Sequence, residues 1–417
     1  MSLLSLPNIR RVVFVTLVSW LSLELFTCLF CGATGRKIFS RPVFHETLKA
    51  ETGQSEQQFI LHPYLGFTWS QESGANRYGF AGPEPVLKRS KDSAIVVITG
   101  GSVAFSFYYW GQKSFIKKLK RIPAFSNKKI KLLCLAVPGY KQPQQLLALN
   151  YFLSMGAEFD LILNLDGFNE AVLPYSENYQ NEIALIYPRG WGYYGRQIDG
   201  EAAFLILKIK NLKALRETYR RFFSCPPFRW SPFSLVLWNG LDHRAEIGMR
   251  SSQACLEKPL SDSKAPSPQI SGPAVLFKGK EDLWKEEVKV WAESSWQMAK
   301  ISEANQMKYI HFLQPNQHFS GSKILSAEEA RMMKENENLL AAEAVRQVYP
   351  LMIETGNHLL KSEGVRFHDL SGIFKNEPET VYTDDCCHFN FKGNEGLADA
   401  IADAVRRQYA AAGNSGL

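Results

Sequence analysis

Cysteine is scarce, at seven residues in 417. That is too few for a disulfide framework. Net charge is concentrated near the N-terminus and thin elsewhere. The formal balance is +7, and residues 1–41 place Arg10, Arg11, Arg36, Lys37 and Arg41 against Glu24 alone, four of the seven units. The rest of the chain is close to neutral and has no basic stripe of the kind nucleic acid requires, which argues against nucleic acid as a partner. The Lys-Ser/Thr of a phosphate-binding loop is missing. So is a Gly-x-Ser-x-Gly elbow, because Ser102 is followed by Val103-Ala104. His311 and His318 lack ligand spacing, so no metal and no cofactor is expected. There is no internal repeat. Hydrophobic residues make up 45% and charged residues 21%, values of a folded globular chain.

Long hydrophobic runs are also rare, and one stands out. Val12 to Ala33 is 22 residues with a single charge, Glu24. As a helix it would extend roughly 33 Å, enough to cross a bilayer core. Arg10 and Arg11 precede it, so it reads as a signal-anchor over 12–33 after a short tail, 1–11. A cleaved signal peptide would have a shorter apolar region and an A-x-A-like site, which is not seen. A buried soluble helix is the other rival. Thr27 before Cys28 and Phe30 before Cys31 are poor contexts for a lipoprotein. Basic residues lie at both ends of the run, so charge counting leaves its orientation open. Glu24 is read as one tolerated polar side chain rather than as a pairing group. Cys28 and Cys31 have redox spacing, but their apolar surroundings argue against that role.

A polar stalk and a loop-rich lead-in occupy 34–90. Short apolar runs then alternate with helix-like stretches, the pattern of a parallel sheet built from βα units. The runs are Ala94–Thr99, Lys129–Ala136 and Asp160–Leu165, in a first half at 91–175. An insertion at 176–280 interrupts them. Two more runs follow, Tyr309–Leu313 and Val365–Leu370, in a second half at 281–417. Helices are expected at Gln142–Met155 and Glu281–Asn305. Another is expected over Ser326–Ser362, broken at Pro350, and a last one over Gly393–Tyr409.

Ligands in open α/β sheets bind beyond the carboxyl ends of the strands. Four unusual segments fall there: Gly100-Gly101-Ser102, Pro138-Gly139, Gly167-Phe168-Asn169-Glu170 and Asp385-Cys-Cys-His388. Serine hydrolysis needs a hydroxyl nucleophile, an imidazole to take its proton, a carboxylate to orient the imidazole, and donors for the oxyanion. Ser102, Gly139 and Asn169 can supply such donors. Each segment alone has an ordinary explanation, such as a βα turn for Gly-Gly-Ser or a helix cap for Asn169.

Taken together and in this order, the four segments resemble the SGNH (GDSL-type) hydrolases, in the form of a bacterial membrane-anchored member. The resemblance covers roughly 90–175 and 305–410. It implies a three-layer, flavodoxin-like α/β fold with a central parallel sheet, and serine esterase activity without a cofactor. It implies Ser102 as nucleophile, His388 as base and Asp385 as the orienting carboxylate. Ser102, Gly139 and Asn169 would form the oxyanion hole. The expected substrate is an acylated glycan or lipid, with the catalytic part on the periplasmic or extracytoplasmic side. The first block reads Thr-Gly-Gly-Ser-Val rather than Gly-Asp-Ser-Leu, and Asp384 adjoins Asp385, so the carboxylate can shift by one. O-acyl transfer by the same triad, and a non-catalytic glycan-binding or assembly role on the same fold, are the competing functions.

Within the insertion, 203–223 is basic and helical in pattern, and Phe228, Trp230, Phe233 and Trp238 follow among prolines. Three readings stand: a helix on the core with a solvated charged face, a membrane-surface element, or a lid over Ser102. Residues 251–274 read as a flexible loop. Cys225 and Cys255 could pair outside the cytoplasm. Cys386 and Cys387 are read as small side chains that shape the His388 loop.

Overall fold

The structure is a computed structural model and describes residues 6–33, 59–192, 200–256, 271–273, 277–335 and 339–413. The expected stalk at 34–56 lies outside the described residues, as does most of the expected loop at 251–274. Two compact units divide the chain. One joins Met1–Glu56 to Arg196–Lys258, and the other joins Gln57–Gly195 to Pro259–Leu417.

All five expected strands form in the second unit: β3 (Ser93–Gly100), β4 (Lys129–Cys134), β5 (Leu161–Asp166), β6 (Lys308–Leu313) and β7 (Phe367–Asp369). They pair in parallel in the order β4-β3-β5-β6-β7. β3 and β5 are buried along their whole length, as near-continuous apolar runs in a parallel sheet should be. Ahead of the sheet the chain makes an antiparallel hairpin, β1 (Phe59–His62) and β2 (Gly66–Trp69). The reading of this stretch as loop-rich missed the hairpin, whose strands are only four residues each.

The helices of this unit fall into two sets. A π turn at Phe107–Gly111 and α3 (Gln112–Leu119) pack with α11 (Phe391–Gly413), and α2 (Ser102–Ser106) packs on that π turn and on β3 and β5. α4 (Gln144–Ser154), α5 (Phe168–Leu173), α8 (Lys280–Ala304) and α10 (Leu339–Thr355) pack with one another, and α9 (Ala327–Glu335) precedes α10. Pro350 does not break α10, which runs through it. Buried Val345, Val348, Tyr349 and Met352 hold that helix against the core, so packing outweighs the lost hydrogen bond.

The insertion is shorter than expected. Ile183, Ala184 and Leu185 are buried in the second unit, and buried Lys141 donates its ammonium hydrogens to the carbonyls of Leu185 and Tyr187. Burial lowers the Lys141 pKa to about 8, although the carboxylates of Glu170, Glu287 and Glu177 oppose that. The part that leaves the core unit is 196–258. It contains α6 (Gly200–Ser224) and α7 (Pro232–Leu256), which pack on each other.

α1 (Leu6–Ala33) belongs to that same unit and packs against α7. Its segment Arg11–Ala33 is long and apolar enough to cross a membrane. Glu24 is not a lone tolerated side chain. Its carboxylate accepts the Ser231 hydroxyl and, at 3.1 Å, the Phe233 N–H. The N-terminus of α7 has unbonded donors to satisfy, and Glu24 is within reach. Cys225 and Cys255 are both free and exposed. Cys225 precedes α7 and Cys255 lies in its last turn, roughly 35 Å along the helix from its start at about 1.5 Å per residue, which sets them far beyond disulfide distance.

Glu287 is a buried acid of the core, and among the described residues neither of its carboxylate oxygens has a hydrogen-bond partner. Burial pushes its pKa well above the ordinary carboxyl value, against the attraction of Lys141. The native state therefore keeps a proton that the unfolded chain has already lost. Stability accordingly falls as pH rises through and above the ordinary carboxyl range. Replacing Glu287 with Met should flatten that fall and add about 1 kcal/mol at neutral pH. Urea midpoints at pH 5 and pH 8 test this: wild type loses stability between them and the variant loses less.

Candidate active site

The site is built where the sheet order turns. From β3 the chain moves to β4 on one side, then returns to β5 on the other, so the carboxyl ends of β3 and β5 flank a topological switch point. Gly100 closes β3 at φ +144, and a Cβ there would run into the Leu165 carbonyl of β5. Ser102 opens α2 immediately after and is half-buried. Its backbone N–H is one of the donors that a helix start leaves unbonded.

Asn169 sits in the first turn of α5, after β5. Its Nδ2 donates to the Tyr140 carbonyl at 2.7 Å, next to Gly139. The same Nδ2 lies where a Cβ on Gly101 would be. One side-chain amide thus touches both the Gly139–Tyr140 turn and the residue before Ser102. It carries a second N–H beyond the bond to Tyr140. Phe67 and Arg189 border Gly139, and Arg189 pairs with Glu177 at 2.8 Å.

Glu170 braces this group. Its carboxylate accepts the Gly167 N–H at 2.8 Å, the Gln142 N–H at 3.2 Å and the Gln145 amide at 2.6 Å. Burial pushes its pKa well up, with Asp166 adding to the rise. Glu170 closes the third of the four segments, and its bracing role depends on Gln142 and Gln145, 28 and 25 positions earlier.

His388, the expected base, is held by the loop before α11. The carboxylate that meets His388 belongs to Asp384, not Asp385 as expected: Asp384 Oδ2 accepts from Nδ1. The reason is the wrap of the loop. Asp384 Oδ1 accepts the N–H groups of Cys386, Cys387 and His388 at 3.0, 2.9 and 3.2 Å, which curls residues 384–388 around that side chain. Asp385 lies within the curl, and its carbonyl accepts from His318 Nε2 at 2.7 Å. Burial alone would raise the Asp384 pKa. The bonds and charge of His388 and the loop N–H groups outweigh it and hold the value at about 2. An ionised carboxylate only accepts, so the shared proton belongs to Nδ1, and in the neutral imidazole Nε2 is then the acceptor.

Residues just past β6 clamp the loop. Asn316 Nδ2 donates to the Cys386 carbonyl at 2.9 Å, and Gln317 Nε2 donates to the Asp384 carbonyl at 2.8 Å. Burial lowers the pKa of the third clamp, His318. Gln314 begins the run that carries the clamp. Its backbone N–H donates to the Asp166 carbonyl at 2.8 Å, beside Gly167. The run Gln314-Pro-Asn-Gln directly after a strand was the signal for this clamp. Among the described residues no direct hydrogen bond joins Ser102 to His388. Such bonds are often long before substrate binds.

Two rival constellations are set aside on physical grounds. Ser295, His311 and Asp166 form a serine–histidine–aspartate chain with bonds of 2.7 and 2.8 Å. Their exposures are 0%, 0% and 1%, so no substrate reaches them, and Trp291 and Asn164 complete a core network on Asp166. Cys386, Cys387 and His388 gather three ligand atoms within 4.8 Å. Two thiolates on a tetrahedral zinc would lie about 3.8 Å apart, given bonds of about 2.3 Å. Here the sulfurs are 2.9 Å apart, and burial pushes the Cys387 thiol well above its ordinary pKa. The set does not fit zinc.

No protein-family model matches this chain, and no curated protein matches it. The structure defines a class of architecture: a mixed α/β chain with a five-stranded parallel sheet and one N-terminal apolar helix.

Proposed function

We propose that the chain is a membrane-anchored serine hydrolase of the SGNH type, with the three-layer flavodoxin-like form of that fold, acting on ester bonds. The observation that carries the reading is the Asp384–His388 pair in the loop before α11, in the same unit as the switch point where Ser102 and Asn169 lie. The sheet order supports the same reading.

Ser102 Oγ attacks the ester carbonyl while His388 Nε2 takes its proton. The negative charge on the carbonyl oxygen is met by the Ser102 N–H, the Gly139 N–H and the second N–H of Asn169. The tetrahedral intermediate collapses to an acyl-Ser102, and His388 gives the proton to the departing alkoxide. Water then enters, His388 deprotonates it, and the acid leaves as Ser102 regains its proton. Asp384 keeps the Nδ1 proton in place and stabilises the imidazolium. The substrate class is an O-acyl group on a glycan or lipid, with the catalytic unit outside the cytoplasm. That assignment rests on the family resemblance together with the apolar helix α1.

A fluorophosphonate probe and a small aryl ester test the reading together. Wild type should form a covalent adduct at Ser102 and hydrolyse the ester. Ser102→Ala should do neither, and His388→Ala should label at least about 100-fold more slowly. Folded wild type that neither labels nor hydrolyses the ester sinks the proposal.

A further inference from the structure

α1 is exposed along nearly its whole length, with Val12, Phe14, Leu21, Phe26 and Leu29 facing outward. The side it covers is a stripe: Trp20, Glu24, Thr27 and Cys31, at spacings of four, three and four. Thr27 and Cys31 are buried, and α7 is the helix that packs against α1. The Trp20 ring meets Phe228 and Phe233 edge-on at 5.9 and 5.8 Å. Glu24 caps the first turn of α7 through Ser231 and Phe233, and Ser231 Oγ accepts the Ser234 N–H at 3.0 Å.

The position of these contacts along α1 matters. Trp20 is nine residues after Arg11 and Glu24 is nine residues before Ala33, about 14 Å from either end of the apolar segment. The contacts therefore straddle its midpoint. A helix that crosses hydrocarbon carries whatever touches its midpoint into hydrocarbon as well.

We propose that the α6–α7 turn, Phe222 to Leu237, is a membrane-inserted element. In this arrangement it enters lipid beside α1, from the side on which α1 ends, and reaches the level of Trp20 and Glu24. The inference rests on α1 crossing a bilayer and not on the hydrolase assignment. Its occupant is lipid hydrocarbon, and the turn is suited to it. Phe222, Trp230, Val236 and Leu237 are exposed and apolar, in the same unit as the exposed face of α1.

Several of the polar groups nearby are paired, which lowers the cost of a low-dielectric setting. Glu24 meets the Phe233 N–H at the start of α7. Arg216 is bidentate on Asp242, with both bonds at 2.6 Å. Arg220 and Arg221 share Glu217, and the Arg229 guanidinium lies 4.4 Å from the centre of the Trp230 ring.

Native cysteines report on this without new labels. Cys225 lies in the turn, Cys28 on the exposed side of α1, and Cys255 at the far end of α7, and all three are exposed. The full chain is reconstituted in phosphatidylcholine–phosphatidylglycerol vesicles. A water-soluble maleimide is present on both sides, and modification is followed by peptide mass spectrometry. Cys255 should react at least tenfold faster than Cys225 and Cys28, and all three should react at similar rates in unfolding detergent. Glu24→Ala should expose Cys225, while Glu24→Gln, which keeps an acceptor, should not. Fast labelling of Cys225 with Cys28 still protected would overturn the inserted turn and leave the anchor standing. Fast labelling of Cys28 as well would overturn the anchor, and the inserted turn with it.

Discussion

Replacing Asp384 with Asn should lower kcat for ester hydrolysis about 10⁴-fold, whereas Asp385→Asn should leave it within about threefold. The contrast follows from which atoms each residue uses. Asn at 384 retains an Oδ1 that can accept the N–H groups of Cys386, Cys387 and His388, so the loop keeps its curl. Only the atom facing Nδ1 changes, from an acceptor to an NH₂. That atom no longer accepts the Nδ1 proton. The imidazole then shifts its proton to Nε2, where Ser102 needs a base. Asp384 is held near pKa 2, so the wild-type carboxylate is ionised at any practical assay pH, and its protonation is not the source of an acid limb in the rate profile. At 385 the structural contact is the backbone carbonyl bonded to His318, which an Asn substitution leaves in place. A small-ester assay with urea midpoints as folding controls decides the matter. Equal losses at the two positions would remove Asp384 from its role.

The strands and the site differ in how far they could be read from residues alone. Ala94–Thr99 and Asp160–Leu165 are dense in β-branched and leucine side chains because both faces of those strands are covered, and that composition survives in one dimension. The placement of Ser102, Gly139 and Asn169 after strands was legible because strand ends in an open sheet are few and each carried an unusual residue. Which carboxylate meets His388 was not. Asp384 and Asp385 are adjacent and chemically identical, and the choice depends on how a five-residue loop curls, which the clamp of Asn316, Gln317 and His318 decides from about 70 positions away. Glu24 was misjudged for a related reason. Its partners, Ser231 and Phe233, lie more than 200 positions on, and nothing in the local run announces them. The hairpin of β1 and β2 was hidden by strands too short to display alternation.

Adding one methyl group at Gly101 should cost about as much as deleting the Asn169 amide. Gly101→Ala places a Cβ on Asn169 Nδ2, and the Tyr140 carbonyl is only 3.1 Å from the same point. Neither neighbour can yield freely. Tyr140 is fully buried, with its hydroxyl bonded to the Phe67 carbonyl at 2.6 Å, and Asn169 follows a turn that Glu170 holds at Gly167. The amide must swing away from Tyr140 and from the oxyanion position. Loss of one such donor costs on the order of 10²- to 10³-fold in kcat, and both Gly101→Ala and Asn169→Ala are expected in that range, with KM moved much less. The double variant separates this account from a general loosening of the site. If the added methyl acts through Asn169, then Gly101→Ala in the Asn169→Ala background removes nothing further, and the double variant is no slower than the slower single one. Multiplying effects, near 10⁴-fold or more together, would mean that Gly101 protects the site by another route. An Asn169→Ala enzyme as fast as wild type would remove the amide from the oxyanion hole.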